Sequence, residues 1–251
     1  MPVPVNLSAS DIKATSARLN WMRWTPLQLF LADQVGVWCD PNDLLTLFQN
    51  EAGTVPVTAS GDPIGLPKDK SGNNISVSQS ISSQRPTYIV GADGVSSIEP
   101  DGVDDFLKSS DFGLSQPCTI VTAFIIKENG IFIFDGLGTN SGSMFTEYNS
   151  GRLRAYAGSS VYSTHPVVHD EWNIATAVFN GAESIMRLNG VEFQGDTGTR
   201  DMDGLTLFAT GGEGGFRPQN NGGIIVRNDR MSSTEISNTE NYLASIVGVT
   251  L

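Results

Sequence analysis

From Val95 onward the chain is a succession of short apolar runs, each broken after a few residues by glycine, asparagine or proline. Strand signals lie at 95–99, 105–109, 119–126, 131–134, 143–148, 152–157, 172–179, 184–189, 205–209 and 223–227. Asn129-Gly130 and Asn189-Gly190 sit between apolar runs and read as hairpin turns, since both residue types tolerate the positive φ that such turns need. A series of this kind fits two stacked antiparallel sheets.

Composition agrees with that reading. Only 17% of the 251 residues are charged and 27 are glycine, which argues for many short strands and tight turns over a helical bundle. The length is enough for one large sandwich to bury a core without metal or disulfide help. A net charge of −12 excludes nucleic acid and anionic membrane surfaces as partners, because phosphate binding needs clustered Lys and Arg. Cys39 and Cys118 match no metal or redox spacing and read as free buried thiols of a protein assembled in a reducing cytoplasm. Residues 1 to 13 lack a basic stretch followed by an apolar one, and no segment approaches the roughly 20 apolar residues of a membrane span. The expectation is neither leader-directed export nor membrane insertion.

Two helices are expected. Asp40-Pro41-Asn42-Asp43 has an N-cap followed by proline at the first helical position, with Leu44, Leu47 and Phe48 on one face to about Gln49. Near the end, Ser232 and Glu235 form a capping box, and Ile236, Leu243, Ile246 and Val247 share a face that should pack on the sandwich. Residues 53–86, rich in Gly, Pro, Ser and Asn, read as long loops around brief strands.

Residues 1–24 form a separate arm. Ala17, Leu19 and Trp21 alternate with Arg18, Asn20 and Met22, as a half-buried strand requires. The arm resembles the first two strands of a fibronectin type III module, yet two strands cannot bury a core alone. It should therefore dock on its own sandwich, on a second copy or on another protein, with Leu19, Trp21 and Trp24 as anchors.

The stretch from Trp38 to Tyr88 has its own phrasing: Trp38-x-Asp40-Pro41-x-Asp43-Leu44, Gly61-Asp62-Pro63-Ile64-Gly65, Asp69-Lys70-Ser71-Gly72-Asn73 and Arg85-Pro86-Thr87-Tyr88. Further phrases are Asp101-Gly102-Val103-Asp104-Asp105-Phe106-Leu107, Glu171-Trp172-Asn173-Ile174-Ala175, Arg187-Leu188-Asn189-Gly190-Val191 and Glu240-Asn241-Tyr242-Leu243-Ala244. In this order, over about 25–251, they resemble the concanavalin A-like, laminin G-like domains of bacteriophage and prophage virion proteins. The resemblance implies an all-β jelly-roll sandwich at 25–251 with a C-terminal helix. It also implies a non-enzymatic tail-fibre, spike or head-decoration protein at the virion surface, a homo-oligomer with a trimer the commonest form. The arm would hold it to other virion proteins and the sandwich would meet host polysaccharide. A pure decoration or connector protein is the alternative, and a glycoside hydrolase a remote one.

Sugar recognition needs aromatic faces and planar polar groups. The Gly-rich loop at 211–215 leads to Phe216, Arg217, Asn220 and Asn221, one candidate patch; Tyr148, Arg152, Arg154 and Tyr156 form a second. Glu99-Pro100-Asp101-Gly102-Val103-Asp104 approximates the acidic run of family 16 glucanases, but Pro100 and Gly102 favour a turn over the continuous strand that would set two carboxyls about 5 Å apart. Asp101, Asp104 and Asp105 could offer oxygen ligands to calcium, which laminin G-like domains often hold. No other cofactor is expected.

Overall fold

A strand buried on both faces must be apolar throughout, whereas a strand with one wet face alternates. The two patterns sort this chain into two large sheets, beside a separate two-stranded pair. The computed structural model describes residues 24–31, 33–139 and 141–251, so Leu19, Trp21 and all of the arm but Trp24 lie outside the described residues. Its strands are β1 (Gly36–Cys39), β2 (Leu47–Phe48), β3 (Leu66–Pro67), β4 (Val77–Ser78), β5 (Thr87–Val90) and β6 (Ser96–Glu99). Next come β7 (Leu107–Ser109), β8 (Cys118–Ile126), β9 (Phe132–Asp135), β10 (Ser143–Thr146), β11 (Arg152–Tyr156) and β12 (Ser160–Pro166). The chain ends with β13 (Asn173–Phe179), β14 (Ser184–Leu188), β15 (Val191–Gly195), β16 (Thr206–Leu207), β17 (Gln219–Arg227) and the helix α1 (Ser233–Val247).

The first sheet has the order β15-β14-β13-β8-β17, and the far edge of β17 is shared by β6, with β5 beyond it, and by β1. The second has the order β12-β11-β10-β9-β16-β7-β4. All pairings are antiparallel. The chain passes between these sheets from β4 to β5, from β6 to β7, from β7 to β8, from β8 to β9, from β12 to β13, from β15 to β16 and from β16 to β17, a jelly-roll sandwich as expected.

Ile120, Phe124 and Ile126 of β8, Ala175, Ala177 and Phe179 of β13, and Ile224 and Val226 of β17 point inward against Phe134, Met144, Leu153, Ala155 and Leu207 of the second sheet. Phe134 and Phe179 meet edge to face across this layer, 6.4 Å between centroids. The other faces of the same central strands carry Val121, Ala123, Ile174, Val178 and Ile225, which would be wet in a bare sandwich. Helix α1 covers them with Ile236, Leu243, Ala244 and Val247, joined by Leu29, Phe30 and Trp38. Burial of each large side chain contributes about 1.5–3 kcal/mol, enough to hold an otherwise polar helix in place.

The expected capping box is present: Ser232 Oγ accepts the Glu235 amide, and Glu235 accepts the Ser232 amide at 2.7 Å. Tyr242 packs edge to face on Trp24 (6.4 Å) and Trp38 (5.9 Å). Lys70 bridges Asp40 and Asp43, both at 2.8 Å, with its ammonium 4.4 Å above the Trp38 ring. Gly222 is required by packing: a Cβ there would lie 2.8 Å from the Trp172 ring and 2.9 Å from Val247.

Two expectations are corrected. The helix from Asp40 to Gln49 is only a single 3-10 turn, Leu44–Thr46, before β2. Asp40 Oδ1 caps the Asn42 amide and Leu47 is drawn into the core, so the chain leaves helical geometry after one turn. Asn189-Gly190 does join the hairpin β14-β15, with φ of 48° and 80°. Asn129-Gly130 instead links β8 to β9 in different sheets. Cys39 and Cys118 are buried and unpaired, as expected, with burial raising both thiols.

Beneath α1, Glu240 accepts from Thr176 Oγ1 (2.7 Å) and lies 3.2 Å from Arg187. Removing one partner of a buried pair strands the other. Glu240→Ala should cost about 3 kcal/mol, lowering Tm by about 6–12 °C for a chain this size. A loss under about 1 kcal/mol in chemical denaturation would show that the pair does not anchor the helix.

Candidate functional site

With α1 over the first sheet, the outward face of the second sheet is the large β surface left to solvent. Its strands alternate, as Arg152-Leu153-Arg154-Ala155-Tyr156 does by putting Leu153 and Ala155 in the core and the others outside. Register then sets the outer groups in rows. One row runs Asp135, Ser143, Tyr156, Ser160 across β9 to β12, and the next runs Phe132, Phe145, Arg154, Tyr162.

Phe132 and Asp135 are three residues apart and would face opposite sides of a regular strand. A β-bulge resolves this. Met144 pairs with Phe134 but Phe145 pairs with Phe132, so Ile133 is the extra residue, and both Ile133 and Phe134 turn into the core. Phe132 and Asp135 thereby share the outer face.

Phe132, Asp135, Ser143, Phe145, Arg154 and Tyr156, together with Thr139, Ser141, Thr210 and Gly212, line an open cleft of about 460 Å³. Phe132 and Phe145 stack at 4.9 Å between centroids, 24° from parallel. The Arg154 guanidinium carbon lies 5.0 Å from the Phe145 centroid, 5.1 Å from Tyr156 and 5.3 Å from Tyr162, and its Nε donates to Ser160 Oγ at 2.8 Å. Arg152 sits 5.1 Å from the Tyr162 ring. Arg200 donates to the Tyr156 hydroxyl at 2.7 Å.

Asp135 is 6% exposed at the floor. Its Oδ1 accepts from the Gly136 amide (2.9 Å) and Ser141 Oγ (3.2 Å), and its Oδ2 from the Gly211 amide (2.9 Å). Gly211 approaches this closely only because it has no side chain: a Cβ would lie 2.3 Å from the Gly136 carbonyl oxygen. Burial pushes the Asp135 carboxyl up to about 6, against the lowering effect of those three hydrogen bonds.

The second sequence-predicted patch is brought together here: Arg152, Arg154 and Tyr156 lie side by side, and Tyr148, 71% exposed, lies with Arg154 and Phe145 around an adjoining hollow. The first patch is dispersed. Phe216 is half-buried against Phe106, centroids 6.3 Å apart, and Arg217 pairs with Glu128 at 3.2 Å. Asn220 and Asn221 are not loop residues; they are buried in β17, facing opposite sides. Asn220 Nδ2 reaches Ser97 and Glu99, and Asn221 Nδ2 reaches Thr122 Oγ1 inside the sandwich. The strand begins at Gln219 because its polar residues find partners that an apolar pattern does not reveal.

Asp101, Asp104 and Asp105 hold carboxylate oxygens within 4.8 Å of one another. Asp101 Oδ1 closes the turn by accepting the Val103 and Asp104 amides, and Asp105 Oδ2 accepts the Asp101 amide. Burial, then the two neighbouring acids, raises Asp105. These hard oxygens suit calcium and would supply part of the six to eight it takes. Glu99 ends β6 in an ion pair with Lys127, away from the cleft lining.

Comparison of the sequence with family profiles and with curated proteins returns no match. Comparison of the fold does. Domain 4 of AbnA, a GH43 extracellular arabinanase from Geobacillus stearothermophilus solved in complex with arabinotriose, is 13% identical with a TM-score of 0.50, over 69% of this chain and 92% of that one. A botulinum neurotoxin type C structure, from work on its ganglioside-dependent cell entry, is 12% identical with a TM-score of 0.51, over 84% of this chain and 51% of that one. Trypanosoma rangeli sialidase aligns with 97% of this chain at 14% identity and a TM-score of 0.46; this chain spans 40% of its length. At these identities the likeness to the arabinanase domain and the neurotoxin shows the β-sandwich fold alone.

Asp135 provides a direct check of the cleft floor. With a carboxyl raised from 3.8 to about 6, the native state binds more protons than the unfolded one between those values. Its contribution to stability is therefore full below pH 3.8 and is lost as pH rises through 6, by about 3 kcal/mol in all. Asp135→Asn should remove that part of the pH dependence, and the Asp135 carboxyl carbon should titrate by NMR near pH 6. A midpoint near 4 would mean the floor is wet.

Proposed function

We propose that this chain is a saccharide-binding sandwich carried on the surface of a bacteriophage particle, which attaches to polysaccharide without cleaving it. The cleft on the outward face of the second sheet carries the reading. Its stacked Phe132 and Phe145, with Tyr156 alongside, offer the flat apolar surface on which the C–H face of a sugar ring packs. Asp135, Thr139, Ser141, Ser143 and Thr210 surround that surface with hydrogen-bonding groups for ring hydroxyls. Fold neighbours that hold arabinotriose or interact with gangliosides support the same reading.

Attachment is favoured over hydrolysis because a retaining or inverting pair needs two carboxyls flanking the scissile bond. Among the described residues lining the cleft, Asp135 is the one carboxylate. The virion placement rests on the ordered phrases between Trp38 and Ala244 that resemble phage laminin G-like domains. In that setting residues 1–24 would fasten the sandwich to other virion proteins, and a homotrimer or larger array would multiply weak binding.

Phe145→Ala and Tyr156→Ala should each weaken binding of multimerised protein to polysaccharide-bearing host cells by about tenfold or more, roughly 1.4 kcal/mol, with Tm little changed. Folded protein that binds cells equally with and without their polysaccharide, or not at all, would refute the reading and leave a decoration or connector role.

A further inference from the structure

The cationic side chains of this acidic protein are mostly neutralised. Among the described residues, Lys70, Lys108, Lys127, Arg187, Arg217, Arg227 and Arg230 each meet a carboxylate within 4.0 Å. Arg154 meets none. Its Nε is held by Ser160 Oγ, and Glu147, which shares a hollow with it, accepts from Ser150 Oγ at 2.6 Å. Three rings lie within 5.3 Å of the guanidinium, and among the described residues only its Nε has a hydrogen-bond partner, which leaves the donors of its terminal nitrogens for a ligand. Arg152, also without an ion pair, adds a second positive charge two residues along the same strand face, its Nε on the Ser163 carbonyl.

Cation–aromatic contacts orient a guanidinium but do not neutralise it. A planar guanidinium held this way matches the paired oxygens of a carboxylate, which a mobile lysine ammonium does not. The one cleft carboxylate, Asp135, lies two strands away on β9, on the order of 10 Å, with both oxygens already accepting hydrogen bonds.

Resting on the saccharide-binding reading above, we propose that the ligand is an acidic saccharide, one bearing a sugar carboxylate such as a uronic or sialic acid residue, and that Arg154 receives that carboxylate while the adjoining ring lies on Phe145 and Phe132. The net charge of −12 repels anions at long range, so the affinity must come from this local pairing.

The test is a binding panel of uronic- and sialic-acid-containing oligosaccharides, each beside its carboxyl-reduced form, together with neutral oligosaccharides, against the full chain and its Arg154→Gln variant. Unmodified protein should bind an acidic member at least tenfold tighter than its reduced partner. Arg154→Gln should lose at least tenfold toward the acidic member and less than twofold toward the reduced one, the coupling that a direct contact produces. Equal losses toward both would make Arg154 a packing residue and overturn the proposal. So would a reduced or neutral oligosaccharide bound as tightly as the acidic one, although saccharide binding would stand. Failure to bind any oligosaccharide would remove both readings. If Arg154→Gln does not fold, the comparison of acidic and reduced forms on the unmodified protein still decides.

Discussion

Burial of Val121, Ala123, Ile174, Val178 and Ile225 beneath the C-terminal helix decides which side of this sandwich can do anything else. A central sheet that is apolar on both faces needs two covers, and the second sheet supplies only one. Helix α1 supplies the other, capped at Ser232 and seated on the Glu240–Thr176–Arg187 cluster. The phrase from Trp38 to Asn73 joins the same lid through Trp38, Lys70 and Tyr242. One face is thereby committed to stability, and the β9–β12 face is left open to solvent.

The character of that free face depends on one irregularity. The bulge at Ile133 places Phe132 and Asp135 on the same side, and the close approach of Gly211 gives Asp135 its third hydrogen bond. Aromatic surface and a buried carboxylate are thus brought into one cleft, with arginine on the adjacent strands. A regular ladder would have sent Asp135 into the apolar layer, at a cost of several kcal/mol for an unpaired buried charge.

The contrast explains what could be read from residues alone. The strands between β6 and β17 that alternate or run continuously apolar were legible, as were the Ser232 cap and the Asn189-Gly190 hairpin. Edge strands such as β12 and β15 were not, because Ser160–Pro166 and Val191–Gly195 pair through backbone with little apolar signal. Arg152, Arg154 and Tyr156 could be grouped because period two holds along β11. Asp135 and Phe132 could not, since a bulge breaks that period, nor could Thr139, Ser141 and Thr210, which reach the cleft from loops held by contacts distant in sequence, Leu137 to Met202 and Gly211 to Asp135. The misplaced Asn220 and Asn221 show the converse: polar residues in a central strand read as loop until their partners in β6 and β8 are known.

In the function proposed above, saccharide meets this protein on the outward face of β9, β10 and β11. Amide chemical-shift mapping by NMR while an oligosaccharide mixture is titrated tests it most directly. The account predicts perturbations centred on Phe132, Asp135, Phe145, Arg154, Tyr156 and Thr210. Perturbations confined to the α1 side of the molecule, or to the turn at Asp101–Asp105, would contradict it.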